Sequence, residues 1–184
     1  MIDIGKSGVT LILISIICII SLMSGCTDSV EEDDGEEFEF ILLDGTTAHL
    51  SDYRGKIVIV DMWATWCGPC AYQMPELRQA YDAYDRSELE IISLNIDSRE
   101  TAQDIYDYIE EFKNQVGIEL NWIFGQDDGS VWEEYMINGG IPTLYIFDQK
   151  GKIHFSHEGL SFFSVVPDQY PDSVTLESKI EELI

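Results

Sequence analysis

Basic residues are scarce in this 184-residue sequence: 10 Lys and Arg stand against 35 Asp and Glu, which gives a net charge of -25. A chain this acidic should be repelled by phosphate backbones and by anionic lipid surfaces, so nucleic acid is excluded as a favoured partner. The acidity fits a well-solvated, soluble surface. A cationic partner and a salty environment are the alternatives, and the charge by itself indicates no chemistry.

Cysteine and histidine are also scarce. Of four cysteines, Cys18 lies inside an apolar N-terminal run and Cys26 at its end, so only Cys67 and Cys70 belong to the remaining chain. Three histidines are spread widely along the sequence: His49, His154 and His157. Structural zinc needs four closely spaced nitrogen or sulfur ligands, so a zinc site is not predicted. We interpret the histidines as surface residues rather than as ligands or acid-base groups.

No apolar run reaches the length of about 20 residues that a membrane-spanning helix needs. The run from Val9 to Met23 has 15 residues, follows Lys6 and precedes the small residues of "SGC". This order is typical of an export signal, which we assign to residues 1–25. An uncleaved signal anchor is the alternative. The stretch "LMSGC" resembles the lipobox of prokaryotic lipoproteins, although Met23 replaces the usual leucine, and the resemblance implies lipidation at Cys26.

Residues 26–37 follow as an acidic segment. Between Thr27 and Glu37 there are seven acidic residues and one apolar residue, Val30. Such a composition buries no face, which predicts a disordered tether, with an acidic docking tail as the alternative. Residues 38–184 are then predicted to form a single domain.

Strand and helix patterns alternate from Phe38 onward. The predicted strands are "FEFILL" with its partner after the Asp44-Gly45 turn, "KIVIVDMW", "LEIISLNID", "NWIF", and the hairpin "TLYIFDQKGKIHFSHE". Apolar residues at helical spacing predict four helices, which contain Met74 and Leu77, Ile105 to Val116, Val131 to Ile137, and Leu176 to Leu183. This alternation predicts an α/β fold with a central mixed sheet flanked by helices.

Cap residues predict three of the helix boundaries. Ser98 and Gly117 are expected to begin and end the helix that contains Ile105. Ser130 and Glu133 have the spacing of a capping box at the start of the next helix.

The stretch "VDMWATWCGPC", Val60 to Cys70, contains the candidate reactive residues, Cys67 and Cys70. The strand ends just before the cysteines, so Cys67 is expected at the N-terminus of the following helix. The helix dipole stabilises a thiolate there by roughly 0.3 to 1 kcal/mol. Pro69 suits a first helical turn and Gly68 a tight approach of the two cysteines. A static disulfide is the alternative, but a bridge across so short a loop gains little entropy.

The motif "WATWCGPC" resembles the active site of the thioredoxin superfamily, and the stretch from Phe38 to about Glu158 resembles its membrane-anchored TlpA/ResA-like branch. The resemblance implies a thioredoxin-like fold with Cys67 as nucleophile and Cys70 as resolving cysteine. It also implies an additional helix, inserted between strands from Ser98 to Gly117.

The same resemblance implies a substrate-binding surface. "GGIPT" matches a loop with a cis proline, so the Ile141–Pro142 bond should be cis and Ile141 should contact the substrate backbone. The residues expected at this surface are Trp66, Gly68, Pro69, Ile141 and Pro142. For Trp63 and Trp66, packing around the site is the alternative to substrate contact.

Two positions depart from the TlpA/ResA-like pattern. Many members of that branch have asparagine where this chain has Asp61, and glutamate where it has Gln73. Asp61 matches the buried aspartate of the thioredoxins proper. A buried carboxyl should have a raised pKa, which makes Asp61 a candidate base for Cys70. A purely structural aspartate is the alternative.

These observations predict an extracytoplasmic thiol-disulfide oxidoreductase, acting more as a reductase than as an oxidant, on the outer side of a cell membrane. Its expected partners are protein thiol or disulfide clients, an electron donor, and the membrane through the N-terminal anchor. We expect no metal and no cofactor besides the redox-active Cys67–Cys70 disulfide. The alternative function is a redox-responsive binding protein or a copper-delivery chaperone that uses the same two cysteines.

Overall fold

The computed structural model describes residues 35–170 and 174–184. The predicted signal segment 1–25, with Cys26, and most of the tether 26–37 lie outside these residues. Seven strands in the described part form one sheet: β1 (Glu39–Leu42), β2 (Thr47–His49), β3 (Ile57–Trp63), β4 (Leu89–Asn95), β5 (Ile123–Gln126), β6 (Thr143–Phe147) and β7 (Ile153–Glu158). The helices are α1 (Gly68–Ala83), α2 (Ala102–Val116), α3 (Ser130–Tyr135) and α4 (Leu176–Glu181), with a 3-10 helix at Leu50–Tyr53.

The sheet is mixed, with strand order β2-β1-β5-β4-β3-β6-β7. Strands β3, β4 and β5 run parallel, whereas β6 pairs antiparallel with β3 and β1 pairs antiparallel with β5. The two hairpins, β1-β2 and β6-β7, therefore occupy the two edges. This arrangement confirms the predicted fold class. Helix α2 lies between β4 and β5 in the chain, where the inserted helix was expected.

Both faces of the central strands are covered. All seven residues of β3 and all seven of β4 are buried, as predicted for both strands, although β4 includes Glu90, Ser93 and Asn95. One core contains Met74 and Leu77 of α1 together with apolar residues of α2 and α4. The core on the opposite face contains Leu50 of the 3-10 helix and Val131 of α3. The end of β3 thus lies in a buried layer, and the chain turns from there into α1.

The predicted start of α2 was wrong. Thr101, not Ser98, is the N-cap, and its hydroxyl accepts the Asp104 N–H while the Asp104 carboxylate accepts the Thr101 N–H. Gly117 ends the helix in the left-handed conformation at φ 77°, as predicted. Val116 is half exposed and lies outside the apolar face.

The predicted cap of α3 was also wrong. Ser130 makes no capping hydrogen bond with its side chain, because Gly129 is the N-cap. Asp127 instead accepts the backbone N–H groups of Val131 and Trp132, at 3.0 and 2.8 Å. A carboxylate outside the helix therefore satisfies two of the free donors of its first turn.

Candidate active site

The two cysteines of the domain lie where β3 passes into α1. Cys67 is the N-cap of α1, and the helix begins at Gly68 with Pro69 in its first turn. The sulfur atoms of Cys67 and Cys70 form a disulfide. The backbone N–H of Cys70 lies 3.1 Å from Cys67 Sγ and points at it. Unpaired N–H groups and the positive end of the helix dipole therefore meet at the Cys67 sulfur.

The two sulfurs differ in accessibility. Cys67 is 5% exposed, whereas Cys70 is fully buried beneath the first turn of α1. Of the two cysteines, Cys67 is therefore the more accessible to an external disulfide. This asymmetry supports unequal chemical roles, with Cys67 as the group that meets a partner.

The loop before β6 lies against the Cys67 sulfur. The Ile141–Pro142 bond is cis, as the resemblance predicts, and the carbonyl oxygen of Ile141 lies 3.7 Å from Cys67 Sγ. Pro142 is buried and Ile141 is half buried. The structure thus brings these two residues to the disulfide from 74 positions along the chain.

The carboxylate of Asp97 fixes the indole ring of Trp66, the tryptophan next to Cys67. Trp66 is 60% exposed, and its indole Nε1 donates to Asp97 Oδ2 at 2.7 Å. Asp97 also accepts hydrogen bonds from the Arg99 guanidinium, and these bonds, with the one from Trp66, hold the pKa of Asp97 well below its usual range. Trp66 therefore presents a fixed aromatic face beside Cys67. Trp63, in contrast, is fully buried and packs on Tyr108, so its packing interpretation is confirmed.

Glu100, which like Asp97 lies in the loop between β4 and α2, fixes Thr65, the residue before Trp66. Glu100 accepts the backbone N–H of Thr65 at 3.1 Å and also its hydroxyl. The same carboxylate accepts the Asn95 side-chain amide at 2.6 Å. The segment after β4 thus braces the turn that leads to the cysteines.

Asp61 is fully buried in the middle of β3. The Ser93 hydroxyl of β4 donates to Asp61 Oδ2 at 3.3 Å and itself accepts the Trp122 indole N–H at 2.9 Å. Asp61 Oδ1 has no hydrogen-bond partner among the described residues. Burial raises the pKa of Asp61 to about 7, against a smaller lowering by Ser93. The carboxyl can therefore change protonation near neutral pH.

The face of β3 on which Asp61 lies is covered by residues of α1 and α2. Side chains alternate along β3, so Asp61 shares the face of Ile59 and Trp63, whose core also contains Cys70 of α1. Tyr108 of α2 partly covers the same core, and its buried hydroxyl lacks a hydrogen-bond partner among the described residues. Burial, together with the negative charge of Asp61, raises the pKa of Tyr108 to about 12. A neutral Tyr108 is thus a further polar group in this layer.

Gln73 lies one helical turn after Cys70 and is fully buried. Its side-chain carbonyl accepts the Ser161 backbone N–H at 2.8 Å, which connects α1 to the segment after β7. The Gln73 amide does not ionise near neutral pH, so it cannot serve there as an acid or a base. Asp61 is therefore the acid that lies inside this layer of the site.

Sequence reasoning placed the cysteines, Asp61 and the cis-proline loop together, but it missed the residues that hold them. Ser93, Asp97 and Glu100 act across the sheet or from the loop after β4. The position of Asp97 at the carboxyl end of a buried strand was the one available signal. Two of the three histidines pair with carboxylates, His49 with Glu37 and His154 with Glu182. In the described part of the chain no group of three or more His, Cys, Asp or Glu residues has a metal-binding arrangement.

Comparison with known proteins agrees with this arrangement. A profile of the AhpC/TSA family matches residues 32–156. The thiol-disulfide oxidoreductase ResA of Geobacillus thermodenitrificans is 31% identical over 117 residues, which are 62% of this chain and 63% of that protein. The match therefore spans less than two thirds of the length of this relative.

Two solved structures are similar in fold. The putative thiol:disulfide interchange protein DsbE from Chlorobium tepidum superposes with a TM-score of 0.64 at 24% identity, over 81% of this chain and 94% of that one. StoA from Bacillus subtilis superposes with a TM-score of 0.55 at 25% identity, over 69% of this chain and 90% of its own. Both are thioredoxin-like in architecture, which agrees with the fold expected from the sequence motif.

Proposed function

The chain belongs to the AhpC/TSA family, and from this premise we propose that it is a thiol-disulfide oxidoreductase that reduces disulfides of protein clients. One observation carries the proposal: the Cys67–Cys70 disulfide lies at the N-terminus of α1, with Cys67 the more accessible of the two cysteines and with the Ile141 carbonyl beside its sulfur. The similarity to ResA supports the same activity.

The first step is attack by the reduced Cys67. The helix dipole, worth roughly 0.3 to 1 kcal/mol, and the Cys70 N–H favour the Cys67 thiolate over the thiol. This thiolate attacks one sulfur of the client disulfide, and the second client sulfur leaves as a thiolate. The product is a mixed disulfide between Cys67 and the client. The client backbone lies in this step along Ile141 and Pro142, and Trp66 flanks it.

The second step is resolution by Cys70. Its thiol is buried, so it needs a base before it can attack. Asp61 lies on the face of β3 that the Cys70 core covers, and its pKa of about 7 lets it accept the proton near neutral pH. The Cys70 thiolate then attacks Cys67 Sγ, and the client leaves with its second thiol. Two electrons have passed from the dithiol to the client, and the Cys67–Cys70 disulfide is restored.

The oxidised protein must then be reduced by an external electron donor. The exchange needs no cofactor besides the cysteine pair, because thiol-disulfide exchange proceeds directly between sulfur atoms. We place the domain outside the cytoplasm, held at a membrane by the segment before residue 27. Support for this comes from the apolar run, the small residues before Cys26 and the acidic segment after it. No helix in residues 35–170 or 174–184 is long and apolar enough to cross a membrane.

Insulin reduction by the dithiol form tests the function. The wild-type protein should reduce insulin disulfides in the presence of a thiol donor, and Cys67→Ser should abolish this activity. Failure of the wild-type protein to accelerate the reaction over the donor alone would contradict the proposal. Tight binding of Cu(I) by the reduced protein, without insulin reduction, would support the copper-delivery alternative instead.

A further inference from the structure

The loop that contains the cis Ile141–Pro142 bond is held by a carboxylate from the neighbouring strand. Glu158 is the last residue of β7 and pairs in the sheet with Thr143, the first residue of β6. Its Oε2 atom accepts the backbone N–H of Asn138 at 2.7 Å and that of Gly140 at 3.1 Å. One carboxylate oxygen therefore fixes two N–H groups just before the cis bond.

Gly140 leaves the room that this carboxylate occupies. A Cβ atom at position 140 would lie 2.9 Å from Glu158 Oε1 and 3.0 Å from its Cδ, closer than real Cβ atoms approach such neighbours. The neighbouring Gly139 has a φ of 90°, but Gly140 does not have a positive φ. A side chain at position 140 would therefore have to displace the carboxylate end of Glu158.

Two further hydrogen bonds complete the fixation of the loop. The Thr143 hydroxyl donates to the Gly140 carbonyl at 2.7 Å, and the Gly159 N–H donates to the Pro142 carbonyl at 2.8 Å. Together with the two bonds to Glu158, they fix both the N–H and the carbonyl groups around the cis bond. The Ile141 carbonyl, in contrast, faces Cys67 Sγ at 3.7 Å.

Fixation of this kind matters for binding an extended client. A loop that is already held in its binding conformation loses less conformational entropy when a peptide backbone docks on it. The hydrogen bonds from Gly140 and then Asn138 hold the pKa of Glu158 below its ordinary value, so the carboxylate stays charged at neutral pH. A charged acceptor makes stronger bonds to N–H groups than a neutral one does.

We propose that Glu158 is a positioning residue, which holds the Asn138–Pro142 loop in the conformation that binds client backbone next to Cys67. The inference rests on the proposed function and adds a residue that neither the cysteine motif nor the cis proline identifies. Glu158 touches no reacting sulfur; it acts through the backbone of the loop.

The test compares a protein client with a disulfide that has no backbone. For each variant, kcat/KM with insulin is divided by the rate constant for reduction of hydroxyethyl disulfide. Glu158→Ala should lower this ratio about tenfold, mainly through KM, the scale of one lost hydrogen bond to a charged group. Glu158→Gln should retain most of the ratio, because its carbonyl oxygen accepts both N–H groups. Glu110→Ala, which removes one charge from the exposed face of α2, is the matched control.

Amide exchange gives a direct structural readout. The Asn138 and Gly140 amide protons should be protected in the wild-type protein and in Glu158→Gln, and should exchange about tenfold faster in Glu158→Ala. Gly140→Ala should lower the insulin ratio in the wild-type background but add little in the Glu158→Ala background, because the added methyl group then meets no carboxylate. Thermal unfolding of each variant establishes that it is folded.

The outcomes separate this inference from the proposed function. A wild-type protein that does not reduce insulin refutes the function itself. An active wild-type protein whose Glu158→Ala variant keeps both the insulin ratio and the protection of the two amides refutes the role of Glu158 alone. Strictly additive effects of Gly140→Ala and Glu158→Ala would equally overturn it.

Discussion

Asp61→Asn tests whether the buried carboxyl titrates near neutral pH. Asp61 is fully buried, with one hydrogen bond from Ser93 and one oxygen unpaired, and burial raises its pKa from 3.8 to about 7. The change to asparagine keeps the shape of the side chain but removes the charge. Since the other titrating groups are common to both proteins, the difference in their unfolding free energies isolates Asp61.

The sign and size of the effect follow from the two pKa values. The folded-state pKa lies above the unfolded one, so the folded protein binds the extra proton between them, and stability is lost as pH rises through that interval. The wild-type carboxyl therefore lowers the free energy of unfolding by about 1 kcal/mol at about pH 4.5 and by about 4 kcal/mol at about pH 8. Asp61→Asn should therefore gain about 3 kcal/mol relative to the wild-type protein between these two pH values.

Urea unfolding of both oxidised proteins across this pH range measures the difference. Asp44→Asn is the control, because Asp44 is exposed and hydrogen bonds from Thr46 lower its pKa. Its carboxylate stabilises the protein above the unfolded pKa of about 4 and loses that contribution only as pH falls below it, so between about pH 4.5 and about pH 8 the free energy difference for Asp44→Asn should stay nearly constant. A free energy difference for Asp61→Asn that does not change with pH would refute the raised pKa.

Kinetics test the role of Asp61 as a base. Resolution by Cys70 should slow about 100-fold in Asp61→Asn at about pH 8, the usual scale of general base catalysis, so the mixed disulfide accumulates. The first attack by Cys67 should change much less. Rapid-quench measurements from about pH 6 to 9 span the carboxyl and the thiols. Resolution at the wild-type rate throughout would make Asp61 a purely structural residue.

Four further outcomes are expected. Cys70→Ser should leave a long-lived mixed disulfide between Cys67 and the client. Alkylation of the reduced wild-type protein at mildly acidic pH should label Cys67 first, and labelling of Cys70 first would reverse the roles of the two cysteines. Cys26→Ala should block processing as a lipoprotein, and an intact mass without an acyl group on wild-type Cys26 would leave the signal anchor. Asp97→Ala should release the Trp66 indole, seen as faster decay of its fluorescence anisotropy with the cysteine pair intact; unchanged anisotropy would mean that other contacts hold the ring.

Much of the secondary structure could be predicted from the sequence, because it depends on residues that are close together in the chain. A continuous apolar run predicted β3, a strand pattern predicted β4, and helical spacing predicted α1. The residues between Val60 and Cys70 predicted a cysteine at a helix N-terminus. The cis bond before Pro142 came from the family resemblance, because nothing in the neighbouring residues requires it. The prediction failed where two residues could cap the same helix: Ser98 was predicted to begin α2, but Thr101 is the N-cap and forms a capping box with Asp104.

Tertiary structure alone decided what surrounds the sulfur atoms and Asp61. Ser93 meets Asp61 only because β4 pairs in parallel with β3, 32 residues away along the chain. Glu158 reaches Gly140 only because β7 folds back beside β6. Such contacts depend on strand order and register, which are set by the packing of the whole sheet and leave no periodic signal in either segment. The sequence determined the reactive pair, and the fold determined the polar groups that hold it and tune its protons.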